Sequence, residues 1–242
     1  MQSTLAILAA MPEERDALLA QFPEHTARTC FGTVLHKVQH GTQKIVIALT
    51  GVGKANAACT LGLVCATSDI GCVINVGSAG GLHPGQHVLD LVVPREVVYT
   101  DVDLTVFGLA AGQMHGEPAR FFPDPRLLAI FDGLVADAKV PHSCHHGLLG
   151  SADSHIALPA QIAQIRERFH DQVQCVEMEG GAIAQICTRL GVPFLILRAL
   201  SDVPAKEGDN VLDFQTFLPR AAAASARICL ELVQRLEHVE KL

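Results

Sequence analysis

Short apolar runs alternate with amphipathic stretches in the first third of the chain. The run Leu5 to Ala10 predicts a buried strand, and Pro12, followed by two acidic residues, predicts the first turn of a helix. The order repeats at Lys44 to Leu49, which precedes a glycine-containing loop and a predicted helix from about Ala55 to Ser68. Cys72 to Val76 predicts another strand, with a second glycine loop after it.

The same alternation returns in the last third of the chain. Val173 to Val176 predicts a strand that leads into a helix from about Gly180 to Leu190. Pro193 to Leu200 predicts a strand that leads through a loop to a long final helix. Alternating strands and helices predict an α/β fold, a three-layer α/β/α sandwich around a mixed, largely parallel sheet.

The middle of the chain is less regular. Leu91 to Tyr99 predicts a strand, whereas Asp124 to Asp137 and Pro159 to Phe169 predict helices. Gly108 to Pro125 predicts a long loop. A loop of this length in a compact domain is usually functional, so we expect it to cover a site or to meet a partner subunit.

Length and composition narrow the class of protein. A chain of 242 residues is at the upper end for one compact domain, so we predict a single domain over 1–242, with two domains as the alternative. Hydrophobic residues make up 49% and charged residues 18%, which suits a sheet buried on both faces. The net charge of −7 and the lack of Lys or Arg runs argue against nucleic acid, so we expect a small-molecule ligand.

The sequence indicates neither a membrane-spanning segment nor an export signal. The longest apolar stretches, such as Val192 to Leu197, fall well short of the ~20 residues that cross a bilayer. Met1 to Met11 lacks the charged region of a signal peptide, so we expect a soluble cytoplasmic protein. The eight cysteines form no Cys-x-x-Cys pair, which favours buried free thiols over disulfides.

Acidic and glycine-rich segments follow several predicted strands. In an open α/β sheet, ligands bind beyond the carboxyl ends of the strands. The segments at those positions are Met11 to Glu14, Thr50 to Lys54, Gly77 to Leu82, Glu177 to Glu179, and Ser201 to Asp202. We therefore predict a site at this edge of the sheet.

The two glycine segments differ in how strongly they indicate a ligand. Gly51 to Lys54 resembles a phosphate loop but lacks the residues that a Walker motif or a dinucleotide fingerprint requires, so a tight turn with Lys54 solvated is an equal alternative. Gly77 to Gly81 has three glycines in five residues, which would let backbone N–H groups approach a ligand. We predict no cofactor.

Each acidic candidate also has a purely structural interpretation. Glu14 suits the dipole at a helix start. Glu177 and Glu179 lie two apart, so one faces the cleft while the other caps the next helix. Asp202 follows an apolar run that contains Arg198, which suits a helix cap or a salt bridge.

A group of histidines offers a possible metal site. His142, His145 and His146 surround Cys144, but their spacing matches no structural zinc pattern and the chain has no His-Glu-x-x-His. We predict no metal and interpret the segment as a polar strand edge.

Several segments together resemble the 5′-methylthioadenosine/S-adenosylhomocysteine nucleosidases of the nucleoside phosphorylase superfamily. The resemblance is carried by Ala10 to Glu14, Thr50 to Lys54, Asn75 to Leu82, Val176 to Gly180, Arg198 to Val203, Asp101 to Gly108, and Gly112 with Gln113. It implies a nucleoside phosphorylase-like fold and hydrolysis of the N-glycosidic bond in adenine nucleosides with a 5′ thioether. It also implies a homodimer.

The resemblance assigns roles to the acids. Asp202 would protonate adenine N7, Glu14 would activate the attacking water, and Glu179 would bind the ribose hydroxyls with Met178 against the sugar. Breaking a C–N glycosidic bond builds positive charge on the ribose, which nearby carboxylates stabilise. The acid and the base must differ in pKa, with Asp202 protonated and Glu14 ionised.

The same resemblance implies a substrate-binding set. It comprises Val52, Ser78, Ala79, Gly80, Phe107, His155, Ile156, Glu177, Met178, Glu179, Arg198, Ser201 and Phe214. Within this set, the main chain at Ile156 would read the adenine edge, Phe107 would come from the partner subunit into the thio pocket, and Arg198 would orient a carboxylate. His155 stands where the family usually has Phe against adenine, and Leu109 and His115 replace a Tyr and a Pro of the thio pocket.

Three other functions remain as alternatives. A nucleoside phosphorylase shares the fold but needs cations for phosphate, which Glu13 and Glu14 would repel. Cleavage of a related adenine-containing menaquinone precursor uses the same chemistry. A non-catalytic nucleoside-binding protein would be expected to lack one of the three acids, yet all three are present.

Overall fold

The structure is a computed structural model that describes residues 3–204 and 210–237. The strands are β1 (Thr4–Ala9), β2 (His25–Cys30), β3 (Thr33–His40), β4 (Gln43–Leu49), β5 (Ile70–Gly81), β6 (Leu91–Val92), β7 (Glu96–Tyr99), β8 (Cys144–His145), β9 (Leu148–Ser151), β10 (Val173–Glu177) and β11 (Phe194–Asp202). The helices are α1 (Pro12–Gln21), α2 (Lys54–Thr67), α3 (Pro125–Ala136), α4 (Pro159–Phe169), α5 (Gly180–Leu190) and α6 (Asn210–Leu236).

The long strand β5 lies at the centre of one mixed sheet. The strand order is β2-β3-β4-β1-β5-β10-β9-β7, while β11 pairs with β5 and continues through β6 to β8. The pairs β1–β4, β1–β5, β5–β11 and β9–β10 are parallel, whereas β2–β3, β3–β4, β5–β10 and β6–β11 are antiparallel. The prediction of a mixed, largely parallel sheet in an α/β fold is confirmed.

The side chains of β1 point alternately to the two faces of the sheet, and helices cover each face. Leu5 and Ile7 belong to one core cluster, which includes buried residues of α1, α3 and α6. Ala6 and Leu8 belong to a second cluster, which includes buried residues of α2 and α5. Successive side chains of a strand point to opposite faces, so an unbroken apolar run is what a strand covered on both sides requires.

The predicted loop at Gly77 to Gly81 is wrong, because these residues form the second half of β5. Gly77 to Gly80 pair with β11 on one edge, and Gly80 and Gly81 pair with β10 on the other. A Cβ at Gly81 would lie 2.8 Å from a methyl carbon of Leu200. The glycines therefore permit close packing within the sheet rather than a turn.

Two further segments differ from expectation. The strand predicted from Leu91 to Tyr99 is divided into β6 and β7, since Pro94 lies in the break and has no N–H for a sheet ladder. The antiparallel hairpin of β2 and β3 is not indicated by apolar patterning, and residues 25–29 are exposed on both faces.

Two other expectations concern the membrane and the thiols. None of the helices formed by residues 3–204 and 210–237 is both long enough and apolar enough to cross a membrane. All eight cysteines are free, and Cys72, Cys175, Cys187 and Cys229 are buried. Burial raises the pKa of the Cys229 thiol to about 12, which keeps it protonated.

Replacement of Gly181 by Ala will destabilise the fold. A Cβ there would lie 2.5 Å from Cε1 of Tyr99 and 2.8 Å from Cβ of Ser151, so α5 must shift away from the sheet. We expect a loss of about 1–3 kcal/mol in the free energy of unfolding, measured in urea. The control is Gly62→Ala in α2, where no heavy atom lies within 4 Å and a gain of about 0.5–1 kcal/mol is expected. Equal stability of the two variants would contradict the packing argument.

Candidate active site

A cavity of about 270 Å³ opens where the strands β1, β4, β5, β10 and β11 end. It is lined by Ala10, Met11, Glu14, Val52, Val76, Gly77, Ser78, Ala79, Gly80, His155, Val176, Glu177, Met178, Glu179, Arg198, Ser201, Asp202 and Phe214. The five segments predicted to meet at one edge of the sheet therefore do meet. Of the predicted site residues, only Phe107 and Ile156 are outside this lining.

Glu14 is buried and held by donors from three main-chain positions and one hydroxyl. Its Oε2 accepts from the N–H groups of Ala10 and Met11 at 3.0 and 3.1 Å. Its Oε1 accepts from the N–H and the hydroxyl of Ser78 at 2.9 and 3.0 Å. Glu14 thus does more than stabilise the start of α1, because it ties that helix to β5 and has a fixed orientation at the cavity.

Asp202 at the end of β11 is buried, and its two carboxyl oxygens have different surroundings. One carboxyl oxygen accepts from the hydroxyl of Ser201 at 2.8 Å, and the other has no hydrogen-bond partner among the described residues. Burial raises the pKa of Asp202 to about 6, against the opposing effect of the Ser201 hydrogen bond and with a smaller contribution from the charge of Asp213. The neutral carboxylic acid therefore persists much closer to neutral pH than in an exposed aspartate.

Arg198 is a fully buried cation whose position is set by three strands. It lies on β11 and donates from Nη2 to Oε2 of Glu177 at 2.6 Å and also to the side chain of Asn75 on β5. The same oxygen of Glu177 accepts from the N–H groups of Glu179 and Gly180 at 3.0 and 2.6 Å. Glu177 therefore caps the start of α5. This is one of the two arrangements that the sequence allowed, in which either Glu177 or Glu179 caps the helix.

Glu179 also lines the cavity, and its side chain makes no capping bond to α5. Its Oε1 accepts from the N–H of Gly53 at 2.8 Å, so the loop after β4 holds this carboxyl group in place. Burial raises the pKa of Glu179, and the neighbouring charge of Glu177 raises it further.

The glycine segment after β4 is a tight turn, with Gly51 at φ +81° and Gly53 at φ +98°. The expectation of a solvated Lys54 is wrong. Its Nζ lies 2.7 and 2.8 Å from the two carboxylate oxygens of Asp101. The N–H of Lys54 donates to Asp153 at 2.7 Å. The turn therefore binds acidic groups of the chain itself.

Of the two residues predicted to contact adenine, His155 lines this cavity and Ile156 lines a neighbouring one. His155 is largely exposed, yet it lines the cavity, and its ring centroid lies 5.6 Å from that of Phe214 in an edge-to-face arrangement. Ile156 is buried and lines a smaller adjoining cavity of about 30 Å³, together with His155 and Asp202. His155 therefore borders both cavities.

Phe107 lies outside the cavity of its own chain. It ends a 3₁₀ turn at Thr105–Phe107 and is 77% exposed.

The histidine segment near β8 does not assemble a metal site. His145 hydrogen-bonds through Nε2 to Asp90 at 2.8 Å, and His146 through Nδ1 to the carbonyl of Val93 at 2.9 Å. No group of three or more His, Cys, Asp or Glu side chains in the described parts of the chain is arranged to hold a metal ion. These histidines instead fasten the segments on either side of β6.

Three polar residues that hold parts of the site in place were not predicted from the sequence. Asn75 carried a signal, because it is an amide within an apolar strand and is 1% exposed. Asp101 belongs to a segment that carried the family resemblance, but nothing in the sequence indicated Lys54 as its partner. Asp153 carried no signal at all.

Comparison with known proteins finds relatives over nearly the whole chain. Residues 4–234 match the model of a family described as the phosphorylase superfamily. A 5′-methylthioadenosine/S-adenosylhomocysteine nucleosidase of Halalkalibacterium halodurans is 38% identical over 232 residues, covering 96% of this chain and 98% of that protein.

Solved structures agree with the sequence matches. The nucleosidase of the same name from Neisseria meningitidis, in complex with methylthio-immucillin-A, has a TM-score of 0.90 at 36% identity and covers 96% of this chain and 99% of that one. The one from Colwellia psychrerythraea, in complex with adenine, has a TM-score of 0.90 at 33% identity and covers 97% and 96%.

Replacement of Arg198 by Met will destabilise the fold strongly. It leaves the buried carboxylate of Glu177 without its cation, which costs about 3–5 kcal/mol. We expect the double variant Arg198→Met, Glu177→Gln to lose less, because a glutamine oxygen still accepts from the N–H groups at the start of α5 without a buried charge. Urea unfolding of both variants measures the difference. If the double variant is as unstable as the single one, the cause is lost packing and not the uncompensated charge.

Proposed function

Because the chain belongs to the 5′-methylthioadenosine/S-adenosylhomocysteine nucleosidases of the phosphorylase superfamily, we propose that it releases adenine from both nucleosides by hydrolysis. Members of this family are N-glycosyl hydrolases, and the chain is an enzyme of that class. Relatives whose structures hold adenine or a nucleoside analogue support a ligand of this kind.

The observation that carries the proposal is the separation of Glu14 and Asp202 along β5. A Cβ at Gly77 would lie 3.1 Å from a carboxylate oxygen of Glu14, and one at Gly80 would lie 3.2 Å from the free oxygen of Asp202. A strand rises about 3.3 Å per residue, so these two positions are about 10 Å apart. Both acids also line the same cavity, so a nucleoside in it would meet Asp202 with its base and Glu14 with its ribose.

Asp202 supplies the proton to adenine N7 in this mechanism. A purine anion is a poor leaving group, whereas protonation at N7 lets the base depart neutral. Asp202 lines the smaller adjoining cavity, the hydroxyl of Ser201 fixes one of its oxygens, and the other has no partner among the described residues.

Glu14 supplies the base that orients and activates water. Its carboxylate already accepts four hydrogen bonds, which is close to its full capacity. Three of the donors are main-chain N–H groups and cannot turn away. The hydroxyl of Ser78 can rotate, so the attacking water takes its place on Oε1 and transfers a proton there as the C–O bond forms.

Glu179 binds the ribose hydroxyls and stabilises the cationic sugar. The N–H of Gly53 holds one of its oxygens, and Met178 lines the cavity beside it. The C–N bond breaks with positive charge on the ribose, so a carboxylate here binds the transition state more strongly than the ground state.

Phosphorolysis fits the cavity less well than hydrolysis. Arg198 is the one Arg or Lys among the described residues that line it, and its guanidinium is already bonded to Glu177 and Asn75. A phosphate ion would lie beside the carboxylate of Glu14 with no free cation among the described lining residues, and like charges repel. A non-catalytic nucleoside-binding protein is also disfavoured, since it needs neither a raised pKa at Asp202 nor an oriented base.

We also propose a homodimer in which Phe107 completes the thio pocket of the partner subunit. Val106 and Phe107 are 84% and 77% exposed at adjacent positions. Val52, which lines the cavity, is itself 46% exposed, so the apolar end of the site is open to solvent in a single chain. A second copy that covers this end would bury both surfaces.

Adenine release will proceed without phosphate and will depend on both acids. We expect turnover of 5′-methylthioadenosine and S-adenosylhomocysteine in phosphate-free buffer, with inosine as the comparison substrate. Asp202→Asn and Glu14→Gln should each reduce kcat by about 10²–10⁴-fold, the range typical of a general acid or base. Glu13→Gln, the neighbouring exposed glutamate, is the matched control and should keep normal turnover. Strict dependence on added phosphate, or near-normal turnover in folded Asp202→Asn, would refute the mechanism.

The pH profile will report the protonation of Asp202, and adenine binding will report His155. The acid must be protonated, so kcat/KM should fall as pH rises above about 6, the raised pKa of Asp202. His155 lines the cavity, and its imidazole offers the base less apolar area than a phenyl ring would. We therefore expect His155→Phe to bind adenine at least as tightly as the parent, measured as the adenine dissociation constant. Weaker adenine binding in this variant would contradict packing of residue 155 against the base.

A further inference from the structure

We infer that Lys54 is a positioning residue for the base side of the site, because it joins the loop after β4 to residues 152–156 through Asp101 and Asp153. The inference rests on the proposed function, in which His155 and Ile156 of that segment meet adenine. Lys54 does not line the cavity, so any effect on substrate passes through these neighbours.

The ammonium group of Lys54 lies among the ends of three strands. Its Nζ is 2.7 and 2.8 Å from the two carboxylate oxygens of Asp101, which follows β7. It is 3.9 Å from Asp153, which follows β9, and 4.9 Å from the ring centroid of Tyr99. The ammonium group therefore forms ion pairs with two acids that are far apart in the sequence.

Main-chain hydrogen bonds close the same triangle. The N–H of Lys54 donates to Asp153 at 2.7 Å, and the N–H of Asp153 donates to Asp101 at 2.9 Å. Each of the three residues is thus bonded directly to the other two. The position of the segment that begins at Asp153 is fixed from both sides.

The start of α2 connects these three residues to the active site. Its N-cap residue, Gly53, offers no side chain to satisfy the first N–H groups of the helix. Acids from other segments take that role, since the N–H of Gly53 donates to Glu179 and that of Lys54 to Asp153. The ribose-binding acid and the base-side segment are therefore anchored on two consecutive residues.

Removal of the ammonium would leave two acids facing each other without a counter-charge. A Cβ at Gly53 would lie 3.0 Å from Asp153, so the turn and the acid are already in close contact. Repulsion between Asp101 and Asp153 would then displace Asp153, and with it His155 and Ile156 of the same segment. Glu14 and Asp202 are held by other partners and would stay in place.

The test compares Lys54→Met with Lys54→Arg and with Lys139→Met, an exposed lysine that follows α3. We expect Lys54→Met to raise both KM for 5′-methylthioadenosine and the dissociation constant of adenine by about tenfold, with kcat lowered by less than about threefold. The basic limb of the pH profile should be unchanged, because Asp202 is not moved. Lys54→Arg keeps the charge and should recover most of the binding, and Lys139→Met should match the parent.

Asp153→Asn gives an independent measurement if Lys54→Met does not fold. It keeps an oxygen acceptor for the N–H of Lys54 but removes the attraction between residue 153 and the ammonium group. We therefore expect KM and the adenine dissociation constant to rise, by less than in Lys54→Met. Unchanged adenine binding in both variants overturns the inference, as does a fall in kcat with constant KM. Adenine binding is measured without turnover, so a parent that binds adenine but hydrolyses neither nucleoside refutes the proposed function alone.

Discussion

The buried guanidinium of Arg198 constrains the site more than any other group. It cannot lose its proton, and it has no access to water, so it must keep an anionic partner in the protein. Glu177 is that partner, and the same carboxylate oxygen receives the first N–H groups of α5. Asn75 completes the set from β5. The ends of three strands and the start of a helix are therefore fixed together around one charge.

The pairing of Arg198 with Glu177 leaves the other acidic side chains of the cavity without a cation among the described lining residues. Arg198 offsets Glu177, and Glu14 is compensated by four hydrogen bonds, whereas Glu179 and Asp202 have few partners and raised pKa values because of their burial. A cavity with these acidic groups disfavours the binding of an anion. It favours a reaction in which the substrate becomes cationic and a carboxylic acid donates a proton.

The sequence predicted most of the fold because its apolar residues carry a local signal. Leu5 to Ala10 is apolar at every position, and only a strand covered on both faces makes use of such a run. The acids at the strand ends were also predicted, since the position of a ligand site in an open α/β sheet follows from topology. The segment Gly77 to Gly81 failed because glycine suits a turn as well as a crowded strand. Its role depends on Leu200 and Asp202, which belong to a different strand.

The sequence by itself determined the α/β alternation, the edge at which the site forms, and the acids that face it. Each of these depends on residues close together in the chain or on a general rule of topology. Only the tertiary structure decided which acid pairs with which cation. The contact of Lys54 with Asp101 spans 47 positions and that of Arg198 with Asn75 spans 123. Ion pairs and hydrogen bonds act over a few ångströms, so their partners are defined only after the fold has brought distant segments together.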